Sequence, residues 1–165
     1  MRKAWFVPIL LIVVFPGAAA PASAAGPWSW PVNGPVINGF DPPTSPFGSG
    51  HRGIDIAAAV GTPVLAPAPG TITFAGPVAG HLFITIDHGG GVESTYSWVS
   101  ALGVKKGDVV VASTLIARSG AGHPGGSVPS VHMGVKLHDV YVDPLDYLGP
   151  MSVSGFIRLA PLLAA

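Results

Sequence analysis

Six histidines, eight carboxylates and no cysteine define the chemistry open to this chain. Without a thiol there is no cysteine nucleophile, and any metal ion must be held by His, Asp or Glu. The densest such grouping is Gly50-His51-Arg52-Gly53-Ile54-Asp55-Ile56-Ala57, in which His51 and Asp55 stand four residues apart with a glycine between them. On a turn running into a strand the two side chains can converge on one ion, and zinc takes imidazole nitrogen and carboxylate oxygen at about 2.0–2.2 Å. A third ligand must come from elsewhere, and His132 is the candidate. The stretch Val131-His132-Met133-Gly134-Val135 alternates. Its spacing puts Val131, Met133 and Val135 on a core face and Ser130, His132 and Gly134 on the opposite one. A hydroxyl and a glycine beside His132 leave room for an ion.

These side chains need a scaffold of short strands. Candidate strands cover residues 36–40, 53–57, 63–66, 70–75, 82–87, 92–97, 109–111, 115–119, 131–136 and 140–142. The strongest is Leu82-Phe83-Ile84-Thr85-Ile86-Asp87, rich in β-branched and aromatic residues. Gly89-Gly90-Gly91 then predicts a tight hairpin into the next strand. No long 3.6-residue apolar period occurs after the leader, so helix is confined to a turn near residues 144–148, capped by Asp143. The expected architecture is all-β, a sandwich or open barrel of mostly antiparallel strands.

Both ends of the chain read differently. Residues 1–25 have a basic start, an apolar run and an Ala22-Ser23-Ala24 cleavage signal, the pattern of a secretory signal peptide. The run is shorter than the roughly 20 residues a membrane-spanning helix needs. Residues 26–35 form a lead-in rich in Pro, Gly and Trp, with Trp28 and Trp30 expected to cover an edge of the domain over 36–148. Residues 149–165 form an apolar tail, expected to pack back on that domain. Removing Arg2 and Lys3 with the leader lowers Lys+Arg from 8 to 6 against 8 Asp+Glu, a net charge of −2. No basic stripe remains, which argues against a nucleic-acid partner.

The order of short blocks carries a resemblance. His51-Arg52-Gly53-Ile54-Asp55-Ile56-Ala57 is followed by Gly61-Thr62-Pro63-Val64 with Ala66 and Gly70. Ile84-Thr85-Ile86-Asp87-His88-Gly89, Thr95-Tyr96-Ser97, the hairpin of Val104 to Val109, and Val142-Asp143-Pro144 with Leu148 come next. In this order the blocks resemble the lysostaphin-type (LytM-like) zinc endopeptidases of bacterial cell walls over roughly residues 34–148. The strips Gly61 to Ile72 and Val104 to Val110 also resemble biotinyl- and lipoyl-carrier hairpins, but Lys105-Lys106 lacks the flanking residues of a modified lysine.

The lysostaphin-type resemblance implies one Zn2+ held by His51, Asp55 and His132. It places Ser130, Trp98 and Tyr96 along the substrate groove. It also exposes two departures. The first histidine of the family's H-x-H strand is Ser130 here, and the histidine two residues beyond its conserved tyrosine is Trp98. A positioned general base contributes 10²–10⁴-fold. A serine hydroxyl is too weak a base at neutral pH, and an indole N–H only donates. His123, in the Gly120-Ala121-Gly122-His123 loop, and His81 are the candidate substitutes. His88 reads as a structural hydrogen-bonding residue, and His138 with Asp139 as a solvated hairpin turn.

Two functions stay open: a secreted, monomeric zinc endopeptidase acting on peptide cross-links of peptidoglycan, or a catalytically degenerate zinc-binding relative. The relative would bind wall peptide or regulate a partner wall hydrolase.

Overall fold

A computed structural model of the chain describes residues 28–45, 48–123 and 126–151. The expected signal segment and nearly all of the apolar tail lie outside these residues.

Ten strands and one 3₁₀ turn follow one another along the described residues: β1 Val36–Asn38, β2 Ile54–Ala57, β3 Pro63–Leu65, β4 Gly70–Val78, β5 His81–Asp87, β6 Val92–Leu102, β7 Val109–Val110, β8 Leu115–Ser119, β9 Ser130–Leu137, β10 Val140–Val142, and the turn Pro144–Asp146. Every strand pairing is antiparallel. The main path runs β1-β2-β9-β6-β5-β4-β7, with β10 on β9, β8 on β6 and β3 on β8. The sheet is open, as the sequence predicts.

β6 is the branching element. Its first half, Val92 to Ser97, pairs with β9, and its second half, Val99 to Leu102, pairs with β8. Between them Trp98 is skipped by the register with β5 and adopts φ +63°, the extra residue of a β-bulge. β6 continues through this bulge to Leu102, beyond the expected end at Ser97, and its last residues pair with β8. Since β8 ends at Ser119 and β9 starts at Ser130, the loop joining them spans the fork in the sheet.

Two adjacent cross-strand rows separate core from site. In one, Ile84 pairs with Tyr96, Tyr96 with Met133, and Met133 with Ile54. All four are fully buried, and with Ile56, Val64, Ile72, Ile86, Ile116, Val131 and Val135 they build the core. In the next row, Phe83 pairs with Ser97, Ser97 with His132, His132 with Asp55, and Asp55 with Asn38. Successive residues of a strand point to opposite faces, so the second row faces away from the first. This corrects the expected place of Tyr96: its register partner is Met133, so it lies in the core and not in a groove. Its hydroxyl has no hydrogen-bond partner among the described residues, and burial pushes its pKa up.

The lead-in is part of the fold. Trp28 and Val32 are core residues. The Trp28 N–H donates to Tyr147 O at 2.7 Å, Gly149 N–H donates to Trp28 O at 2.8 Å, and the Trp30 indole donates to Gly149 O at 2.8 Å. Asp143 caps the 3₁₀ turn by accepting from Leu145 N–H at 2.9 Å; the turn ends at Asp146, short of the expected Leu148. Beneath this clamp the His88 ring packs on Trp28 with centroids 4.4 Å apart. Its Nδ1 donates to Pro69 O at 2.7 Å, and its Nε2 lies 2.8 Å from Ser94 Oγ.

Burial holds the pKa of His88 below the ordinary histidine value, against smaller opposing effects of Pro69 O and Asp87. A group with a depressed folded-state pKa favours the neutral form. Its stabilisation is complete above the unfolded value of about 6.5 and is lost as pH falls toward the folded value. The melting temperature of the metal-free chain is therefore expected to drop on acidification from pH 7.5 to 5 more steeply than that of His88→Gln. Parallel profiles would show that His88 does not contribute.

Candidate metal centre

Four side chains bring their donor atoms together on the outward row and its margins: His51, Asp55, His123 and His132. Asp55 and His132 are opposite one another on β2 and β9, and His132 Nδ1 lies 2.9 Å from Asp55 Oδ1. His51 sits just before β2, bridged to Asp41, and its Nε2 is 3.2 Å from Asp55 Oδ1 and 3.1 Å from His132 Nδ1. His123 comes from the β8–β9 loop, and its Nε2 is 3.2 Å from His132 Nδ1 and 3.3 Å from Asp55 Oδ1. The remaining pair, His51 and His123, is within 4.8 Å.

These spacings test the fit to a metal. Four ligands at about 2.0–2.1 Å in a tetrahedron lie about 3.3 Å from one another. Five of the six separations here fall between 2.9 and 3.3 Å. Three imidazoles and one carboxylate are ordinary zinc ligands, so donor type and spacing both fit.

The surroundings prepare the donors. His51 Nδ1 donates to Gly39 O at 2.7 Å, which leaves Nε2 free of its proton and turned to the cluster. Asn38 Nδ2 donates to Asp55 Oδ2 at 2.8 Å. Asp55 is only 2% exposed. Burial alone would raise its pKa, but hydrogen bonds from His132 and Asn38 and the nearby imidazoles outweigh it and hold the carboxyl at about 2. The pKa of His123 is lowered, mainly by burial and secondarily by the neighbouring histidines, against the pull of Asp55. Gly53 is needed sterically: a Cβ there would sit 2.8 Å from His132 Nε2 and collide with Met133 O.

The resemblance named three ligands, and the fold brings His51, Asp55 and His132 within reach of one ion. His123 was read from the sequence only as a substitute base, yet its ring nitrogen lies among the other donors. His81 is not in the cluster: its ring packs at a tilt against Trp98, with centroids 4.0 Å apart. Trp98 in turn lies 5.0 Å from the His123 ring, and His81, Trp98 and His123 line a groove of about 470 Å³ together with Gly120, Ala121 and Gly122. Ser130 is only 3% exposed. Gly122 lies directly over it, so near that a Cβ on Gly122 would stand 2.5 Å from Ser130 Oγ. Asn38 was missed altogether, since an isolated Asn ending a three-residue strand carries no signal until the strand register is known.

Comparison with known proteins agrees with this geometry. The profile of Peptidase family M23 matches residues 49–144. An uncharacterized protein of Mycobacterium tuberculosis is 38% identical, over 87% of this chain and 59% of its own length. The Lipoprotein NlpD/LppB homolog of Pseudomonas aeruginosa is 35% identical, over 81% of this chain and 45% of its own. The Murein hydrolase activator NlpD of Salmonella typhimurium is 33% identical, over 79% and 33%. The chain thus spans about half the length, or less, of these curated relatives. Among solved structures, lysostaphin from Staphylococcus simulans superposes with a TM-score of 0.67 and 27% identity, over 85% of this chain and 62% of that one. A zinc containing peptidase from Vibrio cholerae gives 0.63 and 27%, over 73% and 40%. With its profile match extending from the turn before His51 to the 3₁₀ turn, and with that fold, the chain belongs to the lysostaphin-type members of peptidase family M23.

Proposed function

We propose that this chain is a zinc-binding M23 domain of the bacterial cell envelope, exported by its leader, that binds wall peptide or regulates a wall hydrolase and does not itself cut peptidoglycan. The observation that carries the proposal is the position of His123. Catalytic zinc sites keep three protein ligands and one open position, whereas sites with four protein ligands are structural. Here the His123 Nε2 stands where a fourth ligand would, 3.2 Å from His132 Nδ1 and 3.3 Å from Asp55 Oδ1, which supports this reading.

When bound, zinc supplies Lewis acidity and an acidified water only if a coordination position is free. The remaining residues add little to hydrolysis. Ser130 is covered by Gly122 and cannot act as base. Trp98 offers one N–H donor. His81 is engaged with the Trp98 ring. No imidazole outside the four donors lies at the cluster among the described residues. The Salmonella relative that carries the name murein hydrolase activator gives the regulatory reading a precedent in this family.

A second reading, a slow zinc endopeptidase acting on peptide cross-links, is favoured by one observation. His123 is the most exposed of the four donors, with its side chain 36% exposed on the β8–β9 loop. Leaving the ion would open a position and free a base.

Zinc at about 100 times its Kd is expected to raise stability by about 2.7 kcal/mol, with loss of the effect in Asp55→Ala, measured as a shift in melting temperature. Equal melting with and without zinc would remove the metal reading. Azide is expected to leave the visible spectrum of the cobalt-substituted wild-type protein unchanged, and to alter that of cobalt-substituted His123→Ala, where a coordination position is free. Incubated with purified peptidoglycan and zinc, the protein is expected to release no new amino termini. Chelator-sensitive release would establish the endopeptidase reading instead.

A further inference from the structure

We infer that Asn38 is a positioning residue that holds Asp55 to one-oxygen ligation and thereby keeps the metal centre four-coordinate. This rests on the zinc-binding reading of the site and deepens it.

A carboxylate can present one oxygen or two to a metal. At Asp55 the two oxygens are sorted. Oδ1 faces His132, His51 and His123 at 2.9, 3.2 and 3.3 Å. Oδ2 points the other way and accepts the Asn38 amide N–H at 2.8 Å. An ionised carboxylate only accepts, so the amide must turn its NH₂ to it. That bond occupies Oδ2 and fixes the plane of the carboxylate with Oδ1 toward the imidazoles. Without the amide, Oδ2 would lose the protein donor that fixes the carboxylate plane, and the carboxylate would be free to turn its second oxygen onto the ion. The result is a fifth contact and a looser, more oxygen-rich centre of the kind that harder divalent ions prefer.

The same short segment sets a second ligand. Gly39, next in sequence, accepts the Nδ1 proton of His51 at 2.7 Å. Asn38, ending β1, and Gly39 after it thus orient two of the four donors from outside the ligand set, and outer contacts of this kind commonly govern affinity by 10–100-fold. Asn38 is also exposed on the outermost strand of the main path, so removing its side chain takes nothing from the core.

The test uses the full domain with Asn38→Ala, Asn38→Leu, which keeps the bulk without the donor, and Asn38→Gln, which keeps the donor. Zinc affinity is read by competition with a chromophoric chelator, and coordination by the visible absorption of the cobalt-loaded protein. The Ala and Leu variants are expected to bind zinc 10–100-fold more weakly. Their cobalt band should lose intensity as the centre goes from four- to five-coordinate, while the metal-free melting temperature stays near wild type. The Gln variant should recover part of both signals. Unchanged affinity and an unchanged cobalt band in Asn38→Ala, with wild type binding zinc normally, would overturn the inference. Failure of the wild-type protein to bind zinc at all would instead remove the metal reading, and this inference with it.

Discussion

The structure depends on the register between β2, β9 and β6. Once Ile54 is opposite Met133 and Met133 opposite Tyr96, the next row must place Asp55 opposite His132 and His132 opposite Ser97. Burial of the first row and convergence of the second are one geometric fact. A slip of one residue would exchange the faces, putting a carboxylate and an imidazole into the core and isoleucine and methionine onto the surface. The apolar row therefore enforces the polar one, so Asp55 and His132 need no dedicated scaffold.

The fork in β6 supplies what the register cannot. A continuous β6–β9 ladder would leave the face above His132 flat. Because β6 turns from β9 to β8 at the Trp98 bulge, the β8–β9 loop has to cross the gap, and it passes over Ser130 on its way. Gly120 and Gly122 let it pass closely; a Cβ on Gly120 would strike Trp98 O. Trp98, Gly122, His123 and Ser130 therefore form one packed arrangement. The loop thus touches both positions, 98 and 130, at which the resemblance implies a histidine.

Much of this was legible in the sequence, for identifiable reasons. Strands with clear alternation or dense β-branching, such as those around Ile84 and Met133, are found where their patterns put them. The outward direction of His132 follows from the same alternation. The convergence of His51, Asp55 and His132 was legible through the ordered blocks of the resemblance. Three features were not. Tyr96 reads as a groove residue because it neighbours family site positions, yet its parity on β6 matches the core. His123 reads only as a substitute base on a loop because nothing local shows that β8 and β9 diverge beneath it. Asn38 acts only through a partner 17 residues away across an irregular register. Each depends on which strands are neighbours, and local sequence does not encode that.

The close approach of Gly122 to Ser130 limits what position 130 can hold. An imidazole there needs space that the loop backbone already fills. Ser130→His alone would therefore push the loop away from the strand, and with it His123, one residue beyond Gly122. The size of one buried side chain on β9 thus sets how near the loop histidine can come to the other three donors.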